Sequence, residues 1–141
     1  MDLAALLAAV AAHLDTEAAP AAVTYTPEAD LAEITARRVL VCPAYAEGDG
    51  PLSEEPAARR ITRQIGRVAV AFAAPVAEAD DVETYQAEFV SLMSTLRHAR
   101  LAGYPAARWL AHEVIAAPSP DHLRGQSLFL AVFHATYQVH A

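Results

Sequence analysis

The chain has 141 residues, 55% hydrophobic and 19% charged, with a formal net charge of −7 at pH 7. That length suits one domain with a single core, residues 1 to 141, and the composition is that of a folded chain rather than a disordered one. The acidic balance gives no electrostatic reason to seek nucleic acid or an anionic membrane, the lone Cys42 cannot close an intramolecular disulfide, and no apolar run reaches the ~18 residues of a membrane span.

Residues 2 to 15 place Leu3, Leu6, Leu7, Val10 and Leu14 on one helical stripe behind Asp2. The acid at position 2 and the lack of a basic leader segment read this as a helix of the mature protein. Pro20 and Pro27 break the pattern, with "AVTYT" between them as a short edge strand. Thr26 and Pro27 have N-cap and first-turn character, opening a short helix through Leu31 and Ile34. "RVLVCP" is a strand stopped by Pro43.

Residues 45 to 58 read as a long acidic loop, with Gly48, Gly50, Pro51 and Pro56 among Glu47, Asp49, Glu54 and Glu55. "RRITRQIGRVAVAFAAP" is a long strand. Val68, Val70 and Phe72 fall on one face and Ala69, Ala71 and Ala73 on the other, so the strand is central and covered on both sides, with the small face open to close approach by a helix. Gly66 sits at the change from polar to buried and reads as a bulge. Residues 80 to 102 form the clearest helix: Asp80 and Glu83 have capping-box spacing, Val82, Tyr85, Phe89, Leu92, Met93 and Leu96 make its stripe, and Gly103 and Pro105 stop it. "RWLAHEVIAAP" is a further strand, and "LFLAVFHATYQVH" a last, long one. In the latter Phe129, Phe133, Tyr137 and Val139 alternate with a row that turns polar from His134 onward, through Gln138 and His140. The expected class is α+β: an antiparallel sheet of about four strands, the 80 to 102 helix on one face, and an N-terminal helix.

Little in this order points to chemistry. His112 and Glu113 are adjacent without a second His four residues on, and His134 and His140 stand about 20 Å apart along a strand. Cys42 reads as a structural thiol. No phosphate-binding Gly loop or nucleophile elbow occurs. The expectation is no catalytic residue, no metal and no cofactor. Arg59, Arg60, Arg63 and Arg67 open the first long strand just after the acids at 47 to 55. Contact with a partner, with one subunit's Arg against the next subunit's Glu, is weighed there against a solvated hairpin end and against nucleic acid. The expected interface is Glu47, Asp49, Glu54, Glu55, Arg59, Arg60 and Arg63 with His134, Gln138 and His140.

The sequence of elements, with "RVLVCP", the acidic loop, "RVAVAF", the capped helix, "WLAHEVI", the "PDHLRGQ" turn and "LFLAVFHATYQV", resembles the tail terminator (tail completion, or minor tail) proteins of long-tailed bacteriophages and phage-like particles over nearly the whole chain. The resemblance implies a non-enzymatic virion protein, assembled in the bacterial host cytoplasm. It would form a ring, commonly a hexamer, at the head-proximal end of the tail tube. Its partners would be further copies of itself, the major tail tube protein and the head-side connector or stopper, with DNA passing through the lumen without specific binding. A neck or connector protein of the same particle and a small cytosolic ligand-binding or enzymatic α+β domain are the alternatives.

Overall fold

In the computed structural model, which describes residues 1–45, 50–59, 61–116 and 127–140, local chemistry explains where each element starts. Helix α1 (Leu3–Leu14) opens on Asp2, whose carboxylate accepts from the Ala5 amide at 3.1 Å. It closes on Asp15, whose carboxylate accepts from the Ala21 amide at 2.9 Å and so leads the chain into β1 (Ala21–Val23). A one-turn helix α2 (Pro27–Leu31) precedes β2 (Arg38–Pro43). Strands β3 (Leu52–Ala58) and β4 (Ile61–Pro75) follow, then helix α3 (Ala79–Leu96), β5 (Arg108–Ala116) and β6 (Leu128–His140).

The six strands make one mixed sheet in the order β1-β2-β4-β6-β5, with β3 also on β4. Only β1 and β2 run parallel among these pairs. β4 organises the sheet. Along one edge its second half meets β2 (Val68↔Pro43 to Ala73↔Arg38) and its first half meets β3 (Ile61↔Ala58 to Gly66↔Leu52). Along the other edge it meets β6 without a register shift from Arg63↔His140 to Pro75↔Leu128.

Both helices cover the same face. Leu6, Leu7, Val10 and Leu14 of α1 and Tyr85, Phe89 and Leu96 of α3 close over Val39, Val41, Val68, Val70, Phe72, Phe129, Phe133 and Tyr137. Phe72, Tyr85 and Phe129 form a tilted and edge-to-face triangle with centroids 5.7–5.9 Å apart. The Tyr85 hydroxyl donates to the Pro75 carbonyl at 2.9 Å, and the Arg37 guanidinium lies 5.1 Å over its ring. Each such ring taken from water stabilises the fold by about 1.5–3 kcal/mol. The apolar row of β6 therefore lies under the helices as expected, with Val139 only partly buried, as are Leu92 and Trp109.

The architecture corrects the expected one in four respects. The class is α+β, but the sheet has six strands rather than about four and is mixed. No single long helix covers it: α1 of 12 residues and α3 of 18 share the face. Instead of running to 102, α3 ends at Leu96, where the Arg97 amide returns to the Met93 carbonyl and His98 turns to a φ of 57°. Its start is held by Asp81, not by the Asp80–Glu83 pair: the Asp81 carboxylate accepts from the Ala77 and Glu78 amides at 3.0 and 2.9 Å. Those bonds, aided by Arg37, hold its pKa below the usual aspartate value.

Three further corrections concern a face, a loop and a bulge. Ala69, Ala71 and Ala73 of β4 lie on the face away from α1 and α3, because the space between sheet and helices has to be filled by the larger row. The stretch read as an acidic loop is a strand over Leu52–Ala58; residues 46–49 lie outside the described residues. Gly66 is paired on both sides without a bulge. A Cβ there would meet Met1 Sδ and lie 2.7 Å from Leu6 Cδ2, so the missing side chain is what lets α1 descend onto β4. The Met1 amino group donates to Gln64 Oε1 at the same crossing.

Candidate subunit interface

Past Gly66 and Tyr137, where the cover of α1 ends, β3, β4 and β6 continue together as a short arm, with β5 beside β6 as far as Gln138. In its middle stands Arg63. Its Nη2 donates to Glu55 Oε2 at 2.9 Å directly across the β3–β4 pair, and its Nη1 donates to Gln138 Oε1 at 3.0 Å on β6. Four residues on, Arg67 Nη1 donates to Ser53 Oγ at 3.1 Å and to the Gly50 carbonyl at 3.3 Å. The guanidinium fork suits this bridging of neighbouring strands. The Arg63–Glu55 pair is part-exposed, which holds its contribution to about 0.2–1 kcal/mol.

This arrangement bears directly on the expected interface residues. Arg63, Glu55 and Gln138 are brought together, but within one chain, so Arg63 and Glu55 already satisfy each other. Glu54 and Arg59 are exposed on the arm. The His140 backbone pairs with Arg63, while its side chain, and all of Glu47, Asp49 and Arg60, lie outside what is described.

His134 faces the side of the sheet away from the helices, opposite Glu113 on β5 and Ala69 on β4. With Arg67, Ala111, Glu113 and Thr136 it borders a shallow depression of about 410 Å³. Partial burial pushes the His134 pKa below its ordinary value, against the opposing pull of Glu113. His112 points to the other face, toward the Trp109 and Phe133 rings (centroids 5.5 and 6.4 Å). Adjacent His112 and Glu113 are thus parted by the pleat and cannot act together. Cys42 is half-buried, and burial raises its thiol pKa, the opposite of what a nucleophile needs. No three His, Cys, Asp or Glu among the described residues could hold a metal ion together, and no described helix is long and apolar enough to cross a membrane.

A second depression, of about 380 Å³, lies where the chain leaves α3 and enters β5, and the sequence reading does not single it out. His98, Arg100, Pro105, Ala107, Arg108 and Trp109 border it. The His98 and Trp109 rings meet edge to face at 4.6 Å. Trp109 Nε1 is buried with no hydrogen-bond partner among the described residues. The run Arg97, His98, Arg100 carries the signal in the sequence, but as a helix ending it is explained equally well by the helix dipole. What gathers these groups is the turn at His98, which periodicity does not forecast. No protein-family model matches the chain, and no curated protein matches its sequence.

Proposed function

We propose that this chain is a structural subunit of a ring at the head-proximal end of a long-tailed phage or phage-like tail, where it ends tube growth and joins the tail to the head-side connector. The reading starts from the resemblance in element order. The observation that carries it furthest is the arm: β4 and β6 stay paired for thirteen positions in register, as far as Arg63↔His140, past Gly66 and Tyr137 where the packing under α1 ends. A sheet serving only its own core gains little from that extension, since strands of ~5–6 residues suffice. A subunit that must reach its neighbours gains a stiff, polar projection with Glu54 and Arg59 exposed on it.

Light scattering of the purified protein and electron microscopy of its mixture with tail tubes test the reading. A ring, hexameric by the resemblance, that caps one end of the tubes is the expected result. A protein that stays monomeric across the micromolar range, alone and with tubes, overturns it.

A further inference from the structure

The two ends of α3 carry opposite charge, and the basic one borders a depression. At the start stand Glu78, Asp80 and Glu83, all exposed. The nearby acids Asp81 and Glu88 are already engaged, one by backbone amides and the other by Arg37 at 2.5 Å, whereas Glu78, Asp80 and Glu83 form no ion pair among the described residues. At the far end, about 27 Å away for 18 residues at 1.5 Å each, Arg100 and Arg108 border the depression beside Trp109, and none of its lining residues is acidic. Neither arginine has an ion pair among the described residues.

Two observations mark this pocket as built rather than incidental. His98 holds a φ of 57°, a region that non-glycine residues enter at a cost, and its ring thereby stands against Trp109 as one wall. Trp109 Nε1 is a buried donor without an acceptor among the described residues, and Arg100 and Arg108, which border the same depression, carry the forked guanidinium that carboxylates fit. All ten cationic residues of the chain are arginines, the side chain suited to such pairs.

We propose that this pocket binds carboxylates of a second copy of the chain, those of Asp80 and Glu83 at the start of the neighbour's α3. The proposal rests on the ring reading and gives it a joint. Opposite poles of one helix can meet twice in an antiparallel two-fold dimer or once per joint in a head-to-tail contact. The ring reading selects the head-to-tail contact, which repeated with rotation closes a ring, and the parent's mass separates it from the dimer.

The experiment uses two full-length variants, Arg100→Glu with Arg108→Glu, and Asp80→Arg with Glu83→Arg, each checked for folding by circular dichroism. Each alone is expected to fall to a lower mass than the parent. Their equimolar mixture is expected to regain the parent's mass, because each acidic pocket then meets a basic helix start and each basic pocket an acidic one. Should the reversed helix start not fold, Asp80→Asn with Glu83→Gln serves instead and is expected to weaken association about tenfold or more. Emission from Trp109, the only tryptophan, is expected to change on dilution of the parent across its dissociation range and to stay constant in the variants. A parent that is a ring, with variants that keep its mass or a mixture that fails to regain it, overturns the pocket and leaves the ring standing. A parent that is monomeric overturns both.

Discussion

The two halves of the β4–β6 pair share one backbone register but differ in everything attached to it. From Val68 to Ala74, β4 is buried on both faces, with β2 beside it and two helices above the larger row. From Ile61 to Arg67 the same strand has β3 beside it and carries Thr62, Arg63, Gln64 and Arg67, with Ile65 and Gly66 the buried exceptions. The Val68–Ala74 half is a core element; the Ile61–Arg67 half leaves the core past Ile65 and Gly66, and its outer end is stitched by side-chain hydrogen bonds. Regular pairing alone therefore does not tell what a strand is for; what covers it does.

Four measurements sharpen that contrast, and the largest effect belongs to the core half. Phe72→Ala removes the ring shared by Tyr85 and Phe129 and is expected to cost about 3–5 kcal/mol in urea unfolding, whereas Thr62→Ala on the arm should stay within about 0.5 kcal/mol. Equal costs at the two positions would erase the distinction.

Gly66 marks the boundary between the halves. Gly66→Val drives a side chain into Met1 and Leu6 and should cost about 1–3 kcal/mol. Hydrogen exchange should place the loosening in the first turns of α1. Unchanged protection there would mean that α1 does not depend on this crossing.

A smaller change, in the other direction, is expected at Tyr137, whose ring is fully buried and whose hydroxyl has no partner among the described residues. Burial also drives its pKa well above the ordinary tyrosine value. Tyr137→Phe keeps the shape and removes the unpaired group, so thermal unfolding should show it neutral or stabilised by up to about 1 kcal/mol. A clear loss of stability would reveal a hydrogen bond to that hydroxyl.

The smallest effect concerns pH at His134. Its folded pKa lies below the ordinary 6.5 because burial disfavours the charged ring. Between those two values the unfolded chain binds more protons, so this contribution is complete above pH 6.5 and is lost as the pH falls toward the folded value. Glu113 on β5 works against the shift, and Arg67 on β4 borders the same depression. His134→Gln should therefore narrow the fall in melting temperature between about pH 7 and pH 5. An identical fall in parent and variant would assign that pH dependence to other groups.

The strands with strong alternation, β4 and β6, were legible as sequence, as were "RVLVCP" and the stripes of α1 and α3, because burial on one face leaves a period that can be counted. β3 was not. "LSEEPAA" has two acids and a proline and little strand preference of its own. It is extended because the polar half of β4 offers it an edge, and Pro56 is tolerated beside the register shift before Ala58. Alternation also told that β4 has a large face and a small face but not which one the helices take; that follows from filling volume between layers. For the same reason the pairing of Arg63 with Glu55 could be foreseen as chemistry but not as an intramolecular bond. Eight residues separate them, and only the hairpin makes them neighbours.

The β4–β6 pair also sets the order in which the protein can fold. β3 meets β4 through a tight local connection, whereas Pro75 finds Leu128 and Arg63 finds His140 only after α3 and β5 have been threaded between them. Hairpins form in about 1–10 μs, but closing so much chain before any contact rewards it places the whole domain among folders that take milliseconds to seconds. Until β6 docks, β4 presents a long apolar edge with no partner, the most adhesive surface the chain ever shows. The chain thus passes its riskiest moment before its sheet is closed, and the strand that ends that risk also completes the arm.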